Sequence, residues 1–193
     1  MNSSAKPKQP EPAPFTTLSS RIAWSCPWYN IREDKIRLPD GSQGVYNVVQ
    51  KAPSVWIVPV TRDGNIILLR HFRYTVNDWC LEVPAGGVKE GQTSAQAAQE
   101  ELREEAGGYA EGWTNIGSLY CANGISNEVG HIFLATDVTL GQTDHEPAEI
   151  VEIYQKPIVE VLHLARNNLI KDGSSALAIL LCQNHLEALF VDL

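Results

Sequence analysis

The residues best suited to chemistry lie in one acidic segment, Glu100-Glu101-Leu102-Arg103-Glu104-Glu105. On a helix, Glu101, Glu104 and Glu105 share one face, because residues three and four positions apart are neighbours. Two like charges ~6 Å apart in a cleft of effective dielectric ~20 repel by roughly 3 kcal/mol, so the cluster favours a bound counter-charge. Ligands that are all oxygen select a hard cation such as Mg²⁺ or Mn²⁺. The alternative is a solvated charged face with no ligand.

Two neighbouring segments favour the cation site. The acidic segment follows Pro84-Ala85-Gly86-Gly87, a Pro-Gly cluster that predicts a loop whose backbone carbonyls can approach an ion closely. A later segment, His145-Glu146-Pro147-Ala148-Glu149, offers further carboxylates just before a predicted strand.

A helix with clear end signals must position the acidic cluster. Thr93 is the predicted N-cap, and Gln96 completes a capping box. Gly107-Gly108 is the predicted C-terminal stop. The predicted buried stripe is made of apolar residues at helical spacing: Ala95, Ala98, Leu102 and Ala106.

Short β-branched and aromatic runs predict strands on both sides of this helix. They are 44–49, 55–60, 66–69, 79–83, 116–121, 132–135 and 150–154. Two more helices are predicted, one starting at Pro157 and one from about Ser174 to Leu186. This order predicts an α+β domain in which a mixed β-sheet is sandwiched between helices, an α/β/α arrangement.

Charge and composition limit the partners. The 193 residues include 15 Lys+Arg and 23 Asp+Glu, for a net charge of -8. Such a chain repels nucleic-acid phosphate, so nucleic-acid binding is excluded, and an anionic small substrate would need an intermediary cation. The four scattered cysteines indicate reduced thiols in a cytoplasmic protein. No apolar stretch is long enough for a membrane span, so no membrane partner is expected.

Residues 86–108 resemble the Nudix box, G-x5-E-x7-R-E-U-x-E-E-x-G-U, where U is a bulky aliphatic residue. Six residues fall on its positions: Gly86, Glu101, Leu102, Glu104, Glu105 and Gly107. From Trp24 to about Leu186 the chain is similar to the ADP-ribose pyrophosphatase branch of Nudix hydrolases. The landmarks of that branch lie at 39–41, 70–74, 81–86 and 124–128.

The resemblance implies Mg²⁺-dependent hydrolysis, with Mn²⁺ as a substitute, of a nucleoside diphosphate linked to a group X. The favoured substrate is ADP-ribose, giving AMP and ribose 5-phosphate, or another nucleotide sugar. The implied metal ligands are Ala85 through its carbonyl, Glu101, Glu104, Glu105 and Glu149. The implied catalytic residues are Glu101, Glu105, Glu146 and Glu149, with Glu146 or Glu128 as the base that activates water.

The implied substrate-binding residues are Trp28, Arg70, Arg73, Glu82, Gly86 and Glu128. Guanidinium groups fork onto phosphate oxygens, but Arg70 and Arg73 could equally form salt bridges at strand ends. Trp28, Trp56 or Trp79 could stack on adenine, and the alternative, preferred for Trp56, is a buried aromatic core. For Glu128 and Glu146 the alternative is a solvated loop carboxylate.

Three segments describe the domain organisation. Residues 1–18 are predicted to be a disordered tail because they are rich in Pro, Ser, Lys and Gln. Residues 19–50 resemble an N-terminal antiparallel β-strand arm that relatives exchange between subunits, which implies a homodimer. Residues 51–193 form the predicted Nudix hydrolase domain.

Three positions depart from the box: Gln92 replaces Glu, Glu100 replaces Arg and Gly108 replaces an aliphatic residue. In the family, that Arg is thought to orient the metal-binding carboxylates. The changes could compensate each other, with Gln92 donating an amide hydrogen bond to Glu100. They could instead mark a catalytically weak nucleotide-binding or sensor module. A third hypothesis is an unrelated domain whose acidic helix is solvated.

Substrate specificity stays open. Ala122-Asn123-Gly124 stands where members specific for ADP-ribose often carry Ser-Pro-Gly. Other nucleotide sugars, dinucleotides and flavin adenine dinucleotide are therefore alternatives to ADP-ribose.

Overall fold

The structure, a computed structural model, describes residues 12–143 and 151–189. The chain divides into two compact units. Among the described residues, the first unit holds 12–51 and 124–127, and the second holds 52–123, 128–143 and 151–189.

The described residues of the first unit form a three-stranded antiparallel sheet in the order β1-β2-β3. Its strands are β1 (Thr16–Ser25), β2 (Asn30–Arg37) and β3 (Gln43–Gln50). The predicted tail of residues 1–18 therefore ends too late, because Thr16 and Thr17 already pair with Arg37 and Ile36. Composition could not indicate this pairing, since the partner strand lies about twenty residues further along the chain.

The second unit contains a mixed sheet. Its strands are β4 (Ser54–Thr61), β5 (Asn65–Arg73), β6 (Asp78–Glu82), β7 (Ala85–Gly87), β8 (Gly108–Tyr109), β9 (Gly112–Tyr120), β10 (Val129–Leu140) and β11 (Val151–Pro157). The main order is β11-β5-β4-β10-β8, with β6 on β5, β7 on β4 and β9 on β10. Strands β4 and β10 run parallel, and the other pairs are antiparallel.

In the described part of the chain, four helices accompany this sheet: α1 (Ser94–Ala106), α2 (Ile158–Arg166), α3 (Gly173–Leu181) and α4 (Gln183–Ala188). The last predicted helix is in fact two, and the break at Cys182 has no Gly or Pro to signal it. On α1, Ala95 is exposed, and Ala97 is buried in its place. Within the described ranges, no helix combines the length and the apolar character needed to cross a membrane.

Alternate residues of the central strands enter two separate cores. Val55 and Ile57 of β4 pack with the apolar residues of α1. Val58 and Val60 of the same strand pack with residues of α2, α3 and α4. Because both faces of the sheet are covered, its central strands are apolar at consecutive positions. The predicted α/β/α sandwich is confirmed.

Strands β4 and β5 diverge. The gap between them is called the notch, and it makes room for the site. They pair at Val60 and Ile66, beside the Asp63-Gly64 turn. Further along, β5 pairs with β6, while β4 pairs with β7. The prediction of a loop at 84–87 is therefore wrong for Ala85–Gly87, whose extended backbone is paired with Ser54–Trp56. The chain crosses the notch at Val83-Pro84.

Candidate metal centre

Both ends of α1 are fixed as predicted. The Thr93 side chain accepts a hydrogen bond from the Gln96 backbone, and the Gln96 side chain completes the capping box. Gly107 adopts a left-handed conformation with φ 64°. A Cβ at Gly107 would lie 2.6 Å from the carbonyl oxygen of Gly141, so a side chain is excluded there. These ends set the direction in which the acidic face points.

Glu105 joins α1 to the backbone at the notch. Its side chain is buried, with a relative exposure of 9% for the residue. The backbone N–H of Ala85 donates to Oε2 of Glu105 over 2.8 Å. The carboxylate of Glu105 therefore lies beside the residue whose carbonyl is a predicted metal ligand.

Glu101 lies against the next residue of the same strand. A Cβ built on Gly86 would overlap the carboxylate of Glu101. A side chain at position 86 would therefore displace the Glu101 carboxylate from this backbone. Glu101 and Glu105 together bring two carboxylates to Ala85–Gly86, an oxygen-only donor set that fits a hard divalent cation.

The remaining predicted ligands and catalytic residues are Glu104, Glu146 and Glu149. Glu104 accepts a hydrogen bond from Arg103 over 2.9 Å, so in this structure it forms an ion pair on the helix surface. Glu146 and Glu149 lie outside the described residues. Among the described residues, no three His, Cys, Asp or Glu side chains converge as a complete metal site. The described residues thus contribute the Glu101–Glu105 pair and the Ala85–Gly86 backbone to the candidate metal centre.

The departure at Glu100 is compensated locally. Nε2 of Gln92 donates to Glu100 over 2.5 Å, which confirms the predicted amide bond. Nζ of Lys89 donates to the other carboxylate oxygen over 3.0 Å. Lys89 and, after it, Gln92 lower the pKa of Glu100 below its usual value. In the box, the arginine lies at position 100 and the glutamate at position 92. Here the carboxylate lies on the helix, and its hydrogen-bond donors lie on the preceding loop.

The departure at Gly108 has a packing reason. A Cβ at this buried residue would lie 2.8 Å from two side-chain atoms of Leu102 and 3.3 Å from Val138. Leu102 is itself fully buried. Its side chain occupies the space that an aliphatic residue at 108 would need.

The two predicted phosphate-binding arginines form ion pairs. Arg73 donates to both oxygens of buried Glu82, over 2.9 Å from Nε and 2.5 Å from Nη2. Glu82 raises the pKa of Arg73, and the charge of Glu105 acts in the same direction. Arg70 donates to Glu152 over 3.0 Å and stacks 4.1 Å above the ring of Trp79.

The other predicted substrate contacts differ in burial. Trp28, in the first unit, is 77% exposed. Trp56 packs against the core shared with α2 and α3, as the preferred alternative predicted. The interpretation of Glu128 as a solvated carboxylate is wrong, because it is 8% exposed and accepts a 2.5 Å hydrogen bond from Ser54.

Cavities formed by described residues lie beside this region. A groove of about 1020 Å³ runs along the outer face of α1, where Lys89, Arg103 and Trp113 are among its lining residues. Its lining includes neither Glu101 nor Glu105, so this groove is not the candidate metal centre. A smaller cavity of about 280 Å³ is lined by Arg70, Trp79, Leu81, Tyr154 and Lys156.

Sequence reasoning did not identify Lys89 or Ser175 as residues of this region. Lys89 is a lone loop cation in the sequence, and only the fold brings it to Glu100. Ser175 lies on α3 and accepts a hydrogen bond from the backbone of Val83. A serine among alanines and leucines carries no sequence signal for such a contact.

Two family models cover most of the chain. Residues 50–177 match the NUDIX domain, and residues 15–49 match the nucleoside diphosphate sugar hydrolase N-terminal domain. The chain is 29% identical to an ADP-ribose pyrophosphatase of Bacillus subtilis (strain 168), covering 84% of this chain and 89% of that protein. It is 32% identical to an ADP-ribose pyrophosphatase of Mycobacterium tuberculosis, covering 70% of this chain and 68% of that protein.

A solved structure shares the fold. The crystal structure of an ADP compounds hydrolase superposes with a TM-score of 0.79 at 20% sequence identity. The match covers 91% of this chain and 96% of that one.

Gly86→Ala is expected to weaken Mn²⁺ binding by at least ~10-fold, because the new methyl group displaces the carboxylate of Glu101. Gly87→Ala is the matched control, since a Cβ there meets nothing within 4 Å. Electron paramagnetic resonance titration of Mn²⁺ measures both variants. Equal affinities for the two variants would mean that the contact between Gly86 and Glu101 does not shape the site.

Proposed function

The chain belongs to the NUDIX domain family and is a pyrophosphatase of that family, and we propose that its substrate is ADP-ribose or another ADP-linked sugar. The products would be AMP and a sugar phosphate. The hypothesis of an unrelated domain with a solvated acidic helix is wrong, because the family match spans the helix and its surroundings.

The observation that carries this proposal is the meeting of Glu101 and Glu105 at Ala85–Gly86. NUDIX hydrolases generally use divalent metals, and we assign Mg²⁺, with Mn²⁺ as a substitute. The proposed ligands are the Ala85 carbonyl, Glu101 and Glu105, with Glu104 and Glu149 completing the set. To bind the metal, Glu104 must leave its ion pair with Arg103. That pair lies on the surface, where ion pairs are weak.

Bound Mg²⁺ would neutralise the diphosphate oxygens and make water more acidic. In the proposed reaction a carboxylate base takes a proton from water, the water oxygen attacks phosphorus, and the P–O–P bridge breaks. Glu146 is the proposed base. Glu128 is the weaker candidate, because Ser54 already donates to its carboxylate and the side chain is buried.

The arginines are proposed to hold the substrate. Arg70 can exchange its exposed partner Glu152 for a phosphate, since exposed ion pairs are weak. Arg73 is fixed by three hydrogen bonds to Glu82 that use two of its nitrogens, and a guanidinium has five N–H donors, so donors remain for a substrate oxygen. Glu82 thereby orients Arg73, while Gly86 lets the substrate and Glu101 approach the backbone. Trp28 is a proposed stacking partner for the base.

A homodimer is also proposed. All ten residues of β1 are exposed in the single chain, among them Ile22 at 50% and Trp24 at 52%. A strand with exposed apolar side chains is a typical protein–protein interface. The match of residues 15–49 to a dedicated N-terminal domain of nucleoside diphosphate sugar hydrolases supports a shared role for this arm.

Release of AMP from ADP-ribose, other ADP-sugars and flavin adenine dinucleotide, with and without Mg²⁺, tests the proposed activity. We expect turnover only with the metal. Glu105→Gln should lose at least ~10²-fold in rate, because the variant removes a ligand charge and replaces the acceptor of the Ala85 N–H.

Glu90→Gln, at an exposed position of the preceding loop, is the control and should retain the wild-type rate. Tight nucleotide binding without turnover would instead favour the weak binding or sensor module. Turnover that is unaffected by Mg²⁺ would contradict the metal assignment.

Glu100→Arg restores the residue of the box but should lower the rate on the order of 10-fold, because the arginine would face Lys89 and the Gln92 amide. The double variant Gln92→Glu with Glu100→Arg should recover most of the loss, since the new carboxylate accepts from the arginine. Gln99→Arg, an exposed neighbour, controls for added charge. A faster Glu100→Arg enzyme would show that the natural residue is a handicap.

Light scattering during size exclusion tests the dimer, and we expect a mass twice that of one chain. Ile22→Glu should shift the protein towards monomer. Ile22 is exposed in the single chain, and the new charge would be buried at the proposed dimer interface. Ser19→Glu, on the same strand, is the control for charge alone. A monomeric wild-type protein would refute this assignment.

A further inference from the structure

The backbone that crosses the notch is held at three successive residues by three different elements. The N–H of Val83 donates to Oγ of Ser175 on α3 over 3.1 Å. The carbonyl of Pro84 accepts from Ile57 of β4 over 2.9 Å. The N–H of Ala85 donates to Glu105 of α1 over 2.8 Å. Since proline has no N–H, every backbone donor of this tripeptide has a named partner.

Ser175 reaches the notch from the helical layer opposite α1. Residues of α3 pack in the core that covers the other face of the sheet. Ser175 is completely buried, and Val83 is 1% exposed. The hydroxyl therefore contacts the backbone only two residues before Ala85, without being part of the acidic face.

The position of Ser175 is itself fixed. Its backbone N–H donates to Oδ2 of Asp172, the N-cap of α3, over 2.8 Å. The cap places the serine in the first turn of the helix, where its hydroxyl can reach a neighbouring segment. A buried hydroxyl is unfavourable unless it is hydrogen-bonded. The hydrogen bond from Val83 therefore offsets the cost of burying this polar residue in an apolar helix.

We propose that Ser175 is a positioning residue of the metal centre, which fixes the Val83-Pro84-Ala85 backbone so that the Ala85 carbonyl and Glu105 meet the same divalent cation. The proposal rests on the proposed function for the identity of the cation as Mg²⁺. Loss of the hydroxyl would leave the Val83 N–H buried without its acceptor, and relaxation of this residue would shift Ala85.

The test is Mn²⁺ binding to the full-length protein in the absence of nucleotide, followed by electron paramagnetic resonance. Ser175→Ala should bind Mn²⁺ about 10-fold more weakly, the range typical of residues that orient metal ligands. The Mg²⁺ concentration for half-maximal hydrolysis should rise by a similar factor, while the rate at saturating Mg²⁺ should change by less than about 3-fold.

Two variants of α3 serve as controls and should bind Mn²⁺ like the wild-type protein. Ser174→Ala removes the neighbouring hydroxyl and keeps the hydrogen bond from Val83 to Ser175. Ile179→Val destabilises the same buried helix without touching a polar contact. If Ile179→Val weakens Mn²⁺ binding as much as Ser175→Ala does, the effect is one of general stability and the proposal is overturned.

If Ser175→Ala does not fold, Ser175→Cys replaces it, because a thiol keeps the side chain but is a weaker acceptor. An intermediate loss of Mn²⁺ affinity supports the proposal, and wild-type affinity in either Ser175 variant overturns it. A wild-type protein that binds no Mn²⁺ also overturns it. Absence of AMP release alone would defeat the proposed substrate and leave the Mn²⁺ result to decide the role of Ser175.

Discussion

The close approach of two carboxylates to one short stretch of backbone is the constraint on which the rest of the site depends. Glu105 accepts from the Ala85 N–H, and Glu101 lies where a side chain at Gly86 would be. Both contacts require the acidic face of α1 to pack against β7 in a fixed register. The cap at Thr93, the glycine at 107 and the burial of Leu102 provide that register.

The divergence of β4 and β5 makes room for this contact. If the two strands paired along their full length, β6 and β7 would have no edges to join. Instead β6 joins β5, β7 joins β4, and the backbone between them passes beneath α1. The same crossing is contacted from the other helical layer through Ser175. The site is therefore coupled to both cores of the sandwich.

Electrostatic balance explains how the chain tolerates so much negative charge on one helix. Glu100 would add to the repulsion, but Lys89 and Gln92 donate to it from the preceding loop. Arg103 pairs with Glu104 on the surface. Glu101 and Glu105 are the carboxylates directed to the notch, where a divalent cation would offset their mutual repulsion.

The amino-acid sequence alone determined the family, the layered fold and both ends of α1, and it predicted the glutamates of the candidate site. These features follow from local patterns, since capping residues, helical spacing and alternating apolar residues act over a few positions. The sequence also indicated the Gln92–Glu100 bond. It did not indicate the pairing of Thr16 with β2, the strand at Ala85–Gly87 or the break at Cys182.

Only the tertiary structure decided which polar groups meet across the fold. Lys89 contacts Glu100, Glu128 is buried against Ser54, and Ser175 contacts Val83 because distant segments pack together. Ser54 and Glu128 are 74 positions apart, and Val83 and Ser175 are 92 apart, so no local period relates them. Such contacts depend on how strands and helices are stacked, which a one-dimensional pattern of residue types does not specify.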